Sequence, residues 1–305
     1  MQNANGQGGR NVINGWVLID KPVGLTSTDV VTKLKRKLRP QKIGHAGTLD
    51  PFATGLLPLA LGEATKVISF GMDGLKTYQF TLKFGEETTT EDTEGEVTRT
   101  SPVRLTGEDI AKILPEFLGH LQQIPPAYSA LKIQGKRAYE LARAGAVLDL
   151  PPREIYIESL RLLSQNNADE FQFEVICGKG TYVRSLGRDI ARKLGSWGHL
   201  IQLRRTQVGP FLVQNAFLLD SYLELGHKAE INNAILPLQS VLDDILAVEV
   251  LDDEARRLRQ GQSISRPNLS YPEDATVFVK TQTSEPLGLA LYHEGALKPY
   301  RIFNI

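Results

Sequence analysis

The segment Gly44-His45-Ala46-Gly47-Thr48-Leu49-Asp50-Pro51 concentrates the residues of this chain best suited to chemistry. Gly44 and Gly47 allow close backbone approach to a ligand, or a positive φ. Pro51 restricts Asp50 to extended conformations and so fixes where its carboxylate points. A carboxylate aimed in this way beside a glycine-flanked loop can serve as nucleophile or base. The same residues also suit a plain turn, because Asp-Pro initiates turns and Asp caps helices. Elsewhere the motifs of common cofactor chemistries are missing. There is no GxxxxGK(S/T), no GxGxxG after a strand and no HExxH, and the five histidines have no metal-ligand spacing. One cysteine, Cys177, excludes an internal disulfide framework and any multi-cysteine metal site. A reaction without cofactor or metal is the expectation.

The elements that must position Asp50 follow from hydrophobic periodicity. Trp16 to Pro22 (WVLIDKP) reads as a short buried strand stopped by Pro22 and Gly24. Ser27 to Asp29 offers capping side chains for a helix to about Leu38, with Val30, Val31, Leu34 and Leu38 on one face. Lys76 to Gly85 alternates, placing Tyr78, Phe80, Leu82 and Phe84 on one strand face. The run EDIAKILPEFLGHL predicts a helix interrupted at Pro115. Two further strands, REIYIESLRLL and FQFEVICGKG, precede a helix from Tyr182 to Gly195 and a strand in HLIQLRRTQVGPF. Helices among strands without regular βαβ repetition predict an α+β fold around a mixed, largely antiparallel sheet. After about Ile245 a short helix and three strand candidates (TVFVK, LGLALY, YRIF) predict a small, mostly β module. An extension of the main sheet is the plainer alternative for that segment.

The 305 residues are 41% hydrophobic and 23% charged, as expected of a folded, water-soluble protein of about two domains. The longest strongly apolar stretch, Leu56 to Leu61, is far too short to span a bilayer, and Pro58 interrupts it. Thirty-five basic residues balance 35 acidic ones, so net charge names no partner. The charges are nevertheless segregated along the chain. Six Lys/Arg and no acid lie between Lys33 and Lys42; seven Lys/Arg and one acid lie between Lys179 and Arg205; six acids and no base lie between Glu86 and Glu96. Each run alone suits a solvated surface. Two basic runs beside the chemically suggestive segments point toward an anionic substrate, and the Thr/Glu-rich acidic run reads as a mobile loop.

Six blocks appear in order over roughly residues 15–211: GWVLIDKPVGLTSTDVV, KIGHAGTLDPFATGLLPLALGEATK, KTYQFTLKFGEETTTEDTEG, PPAYSALKIQGKRAYELARAG, GTYVRSLGRDI and LRRTQVGPF. Together they resemble the TruB family of tRNA pseudouridine synthases. The resemblance implies the pseudouridine synthase fold and isomerisation of the T-loop uridine at position 55 of tRNA, by base flipping and without a cofactor. It assigns Asp50 as the catalytic nucleophile and Tyr78 as the residue that stacks on the flipped uracil and is implicated in proton abstraction. Arg184 becomes the partner of that aspartate. Tyr182 and Leu203 would line the pocket, Lys21 would support it, and His45 would wedge into the T-loop. Asp92 would contact and orient the tRNA.

Residues 1–13 are then expected to be a flexible tail, 14–245 the catalytic domain, and 246–305 a PUA-like RNA-binding module. The expected partner is tRNA through its T-arm, handled by a cytoplasmic monomer with no guide RNA, DNA or membrane. A tRNA-folding chaperone with catalysis secondary is the alternative function.

Overall fold

The computed structural model describes residues 11–129, 131–133, 135–146 and 148–305, and divides the main body from a smaller C-terminal sheet. Most of the expected tail lies outside the described residues. Asn11 is already tied down: its backbone N–H donates to the Arg39 carbonyl at 2.8 Å, and its side-chain amide to the Leu38 carbonyl at 2.8 Å.

Ten strands form the main sheet. Its path runs Phe217–Leu218, Gly15–Lys21, Thr54–Leu61, Gly198–Val208, Lys76–Phe84, Glu170–Cys177, Arg153–Gln165 and Gly119–Gln123. Two pairings on this path are parallel, Gly15–Lys21 with Phe217–Leu218 and Thr54–Leu61 with Gly198–Val208; the others are antiparallel. Alternation along Gly15–Lys21 sends Val17 and Ile19 into one core, with Val30, Leu34, Phe80 and Leu186, and Trp16 and Leu18 into another. That period of two is what lets one strand serve two layers.

The helix Ser27–Leu38 packs on the first core through Val30, Leu34 and Leu38. Its cap is Thr26, in a reciprocal box with Asp29. Ser27 is buried and turns to another task described below. The helix Val183–Lys193 covers the neighbouring part of the same core with Val183, Leu186 and Ile190.

The structure corrects the expected helix over EDIAKILPEFLGHL. The helix stops at Ile113, Pro115 heads a single 3₁₀ turn over Leu114–Phe117, and Gly119–Gln123 is a strand paired with Arg153–Ile157. Gly119 makes the reversal at φ +83°.

The C-terminal segment is its own five-stranded sheet rather than an extension of the first. Besides the three expected strands it contains Ala247–Val250, parallel to Ala275–Thr281, and Ile264–Ser265. Phe278, Leu289 and Phe303 of this sheet pack with Trp16, Leu56 and Val67 in the second core. The Lys66 ammonium donates to the Ile302 carbonyl at 2.7 Å, fixing the two parts together.

Candidate active site

Asp50 lies in the loop between the strands Ile43–His45 and Thr54–Leu61, and three other elements hold that loop. The Ser27 hydroxyl accepts from the Leu49 N–H at 2.8 Å and donates to the Leu49 carbonyl at 3.1 Å. Arg205, fully buried on the strand Gly198–Val208, donates to the carbonyls of Leu56 (2.8 Å), Gly47 (3.0 Å) and Thr48 (3.4 Å). Lys21 sits behind the loop, donating to the carbonyls of Leu25 (2.7 Å), Pro22 (2.9 Å) and Pro51 (3.3 Å). Burial lowers the Lys21 ammonium to about 8, against the attraction of Asp50. Gly55 closes the loop at φ +101°, where any β-carbon would lie 2.2 Å from the Arg205 carbonyl oxygen.

Arg184, the second residue of the helix Val183–Lys193, faces Asp50. Its Nε stands 2.9 Å from Asp50 Oδ2, with the Arg184 side chain 5% and the Asp50 side chain 35% exposed. The guanidinium is held from the far side by donating to the carbonyls of Thr90 (2.8 Å) and Tyr128 (2.9 Å), and Nη1 lies 3.3 Å from Asp92 Oδ2. Burial raises the Asp50 carboxyl above the ordinary carboxylate value; Arg184 pulls it back, Asp92 pushes it up, and Lys21 also lowers it. The arginine thus opposes the effect of burial without cancelling it.

Asp50 and Arg184 border a cavity of about 330 Å³ whose wall includes Tyr78, Tyr182, Leu203 and Lys76. This volume is at the small end of ordinary ligand pockets. Tyr78 sits on the strand Lys76–Phe84, opposite Arg205 on one neighbouring strand and Val175 on the other. Burial raises its hydroxyl above the usual value, and the Arg205 cation opposes the rise. Tyr182 precedes the helix and is clamped at both backbone ends by Gln123, whose side chain accepts from the Tyr182 N–H (2.9 Å) and donates to its carbonyl (3.1 Å).

Five of the eight residues singled out from sequence therefore line one cavity: Asp50, Tyr78, Tyr182, Arg184 and Leu203. Lys21, His45 and Asp92 are not in its wall. His45 ends the strand that leads into the loop, with Nδ1 buried and without a hydrogen-bond partner among the described residues. Asp92 is 1% exposed and accepts from the Glu94 N–H at 2.9 Å. Its carboxylate is turned inward, toward the Arg184 guanidinium. Sequence reasoning missed Arg205, Ser27 and Lys76. All three lay inside the matching blocks, where Ser27 reads as a helix cap and Lys76 and Arg205 as surface charge.

The basic run Lys179–Arg205 also departs from expectation, since it is not a free anion-binding face. Arg188 pairs with Glu91 at 2.6 Å and Arg192 with Glu87 at 2.8 Å, so the helix arginines at 184, 188 and 192 meet the acidic segment. Arg204 takes Asp20 at 2.6 Å, Lys193 takes Glu116 at 2.6 Å, and Lys179 takes Asp73 at 2.8 Å. The acidic segment is accordingly no solvated loop. Glu87, Glu91 and Asp92 are buried, and Glu86–Thr88 pairs with Val97–Thr100 as a hairpin. On the helix Ser27–Leu38, by contrast, Lys33, Lys35 and Arg36 are exposed, as is Arg39 just beyond it, and no carboxylate pairs with them among the described residues.

Comparison with known proteins decides the family. The model of the "TruB family pseudouridylate synthase (N terminal domain)" matches residues 35–183. Residues 184–243 match the "tRNA pseudouridylate synthase B C-terminal domain", and 247–303 match "Pseudouridine synthase II TruB, C-terminal". A relative from Bradyrhizobium diazoefficiens named tRNA pseudouridine synthase B is 48% identical over 302 residues, covering 97% of this chain and 87% of the relative. A Caulobacter relative of the same name is 45% identical over 303 residues, covering 97% of each. The chain belongs to the TruB family. It is therefore a pseudouridine synthase, an isomerase of uridine. A solved H/ACA ribonucleoprotein bound to a substrate RNA containing 2′-deoxyuridine matches at TM-score 0.75 and 22% identity, covering 95% of this chain and 85% of that one. It shows the same fold. No helix among the described residues is long and apolar enough to cross a membrane.

Proposed function

We propose that this TruB-family chain converts the T-loop uridine at position 55 of tRNA to pseudouridine, with Asp50 as nucleophile and no cofactor or metal. The observation that carries the reading is the Asp50–Arg184 pair at 2.9 Å on the edge of a base-sized cavity whose wall includes Tyr78. The relatives' name supplies tRNA as the substrate class.

The isomerisation breaks the N1–C1′ bond, turns the uracil and joins C5 to C1′; the proton on C5 is lost and N1 gains one. Asp50 attacks C1′ as N1 leaves, and the uracil C5 then displaces the carboxylate. Removal of a ribose proton by the same carboxylate, through a glycal, is the competing route. Both begin from ionised Asp50, the form that Arg184 favours. Extruding the target base from its stack costs a few kcal/mol. Stacking on the Tyr78 face returns ~1–3 kcal/mol. Because burial keeps the Tyr78 phenol protonated, its ring acts first as a stacking face; to take the C5 proton the phenol must first give its own proton to N1, with the Arg205 cation favouring the phenolate between the two transfers.

Around this centre, Tyr182 and Leu203 hold the base, Lys21 and Asp92 fix the Asp50 loop and Arg184, and His45 contacts the T-loop. Residues 14–245 form the catalytic domain, and residues 246–305 act as a PUA-like module toward the rest of the tRNA. The protein works as a cytoplasmic monomer on tRNA alone, with no guide RNA, DNA or membrane.

The test is purified protein with an unmodified tRNA transcript and nothing else, with pseudouridine mapped at single-base resolution beside Asp50→Asn. Product confined to the T-loop uridine, lost in the variant while tRNA binding persists, is expected. Binding without isomerisation would favour a tRNA-folding chaperone, and dependence on an added guide RNA would overturn the stand-alone reading.

A further inference from the structure

Among the described residues, four cations line the Asp50 cavity: Lys76, Lys179, Arg184 and Arg205. Three of them are buried and committed to backbone carbonyls. Lys76 donates to Met72 and Gly74, Arg184 to Thr90 and Tyr128, and Arg205 to Gly47 and Leu56. Lys179 is different. Its side chain is 72% exposed, and its ammonium pairs at 2.8 Å with Asp73, which ends the helix Ile68–Asp73 and follows Met72 of the cavity wall. Gly178 and Gly180 flank it; Gly180 is at φ +84° with open space around it.

We propose that Lys179 is the cavity's contact for the RNA backbone, and that its exposed ion pair with Asp73 is exchanged for a phosphate when a nucleotide enters. The proposal rests on the RNA-modifying reading above and adds a residue and a ligand group to it. An ion pair this exposed contributes little, so its exchange is cheap. A lysine ammonium is a compact charge with three rotatable donors and no fixed fork, suited to changing partners. A flipped base cannot enter alone, because its ribose carries a phosphate on each side to the rim where Lys179 stands. Asp73 has the complementary part. It holds the ammonium at the mouth when no RNA is present and competes with phosphate when RNA arrives.

The two charges therefore have opposite signs of effect, which separates this proposal from a merely structural bridge. Binding of the unmodified tRNA transcript is measured for the full chain over a series of salt concentrations. Lys179→Gln is expected to weaken binding about 3–10-fold and to reduce the slope of log K against log salt by about 0.7–0.9, the loss of one phosphate contact. Asp73→Asn is expected to tighten binding about 2–5-fold, and to do nothing when Lys179→Gln is already present. Equal weakening by both single variants would make the pair a structural brace and overturn the proposal. So would an unchanged affinity and salt slope in Lys179→Gln. If the unaltered protein itself neither binds nor isomerises tRNA, the underlying function fails with it; if it does both while the variants behave as braces, only the phosphate contact falls.

Discussion

Replacing Arg184 by Met should move the acid limb of the pH–rate profile upward, and replacing Asp92 by Asn should move it downward. The signs follow from the charges around Asp50. Arg184 at 2.9 Å favours the carboxylate, whereas Asp92 disfavours it. Two unit charges about 4 Å apart at an effective dielectric constant of about 20 interact by ~4 kcal/mol, equivalent to about three pKa units. The Asp50 side chain is 35% exposed in the free protein, so water screens the pair and the effect there is only a fraction of that limit. Once a base fills the cavity the screening falls. The limb of kcat/KM, which reports free enzyme, should therefore rise in Arg184→Met, and the limb of kcat should rise further. Asp92→Asn keeps an oxygen to accept from the Glu94 N–H, so its change is chiefly one of charge. Arg184→Lys, which retains a cation, should shift the limb least. Truncating Arg184 also leaves the Thr90 and Tyr128 carbonyls without donors, at ~1–3 kcal/mol each, so the profiles are taken well below each variant's measured Tm. Limbs that do not move, or that move the same way in Arg184→Met and Asp92→Asn, would refute the electrostatic account of Asp50.

Four further outcomes are expected. Ser27→Ala strips both Leu49 backbone groups of their partner and should cost about 1–3 kcal/mol in denaturant unfolding; a cost under 0.3 kcal/mol would mean that the loop finds another anchor. Gly55→Ala places a β-carbon 2.2 Å from the Arg205 carbonyl oxygen at a positive φ, and should destabilise by at least about 2 kcal/mol or prevent soluble expression. Lys21, lowered from 10.5 to about 8, makes the unfolded chain the stronger proton binder between those values. Stability should therefore rise with pH across that window by about 3 kcal/mol relative to Lys21→Met, and parallel stability curves for the two proteins would contradict this. Exchanging Lys33 and Arg36 for Gln should lower the salt slope of tRNA binding by about 1.4–1.8, whereas an unchanged slope would remove that helix from the RNA interface.

How much of this was legible in the residues varied with the range of the interaction. Period-two alternation placed Tyr78 and Phe80 on their strand, and the apolar stripe Val30, Leu34, Leu38 placed the first helix, because both signals are local. The helix expected through Gly119 failed because Pro115 and Gly119 together end it, and the apolar pattern past them belongs to a strand. Asp50, Tyr78 and Arg184 were not separable from ordinary turn, core and surface residues by spacing alone; only six ordered blocks singled them out. Ser27 and Arg205 were passed over because their partners, the backbone of Leu49 and of Gly47 to Leu56, carry no side-chain signature.

The charge runs carry the sharper lesson. Glu87, Glu91 and Asp92 lie about 90–105 residues from Arg192, Arg188 and Arg184, and neither run alone reveals that it neutralises the other. Once they are paired, the chain's zero net charge no longer argues against an anionic substrate. Three acids of the acidic segment, Glu87, Glu91 and Asp92, meet the helix behind Asp50, where Asp92 helps fix the arginine that tunes the carboxylate. That leaves the exposed cations of Lys33 to Arg39 uncompensated on a helix whose first residue anchors the Asp50 loop. Internal neutralisation at the site and free positive charge beside it arise from the same segregation. A neutral protein can therefore hold a precise ion-pair network and still present a basic face to RNA.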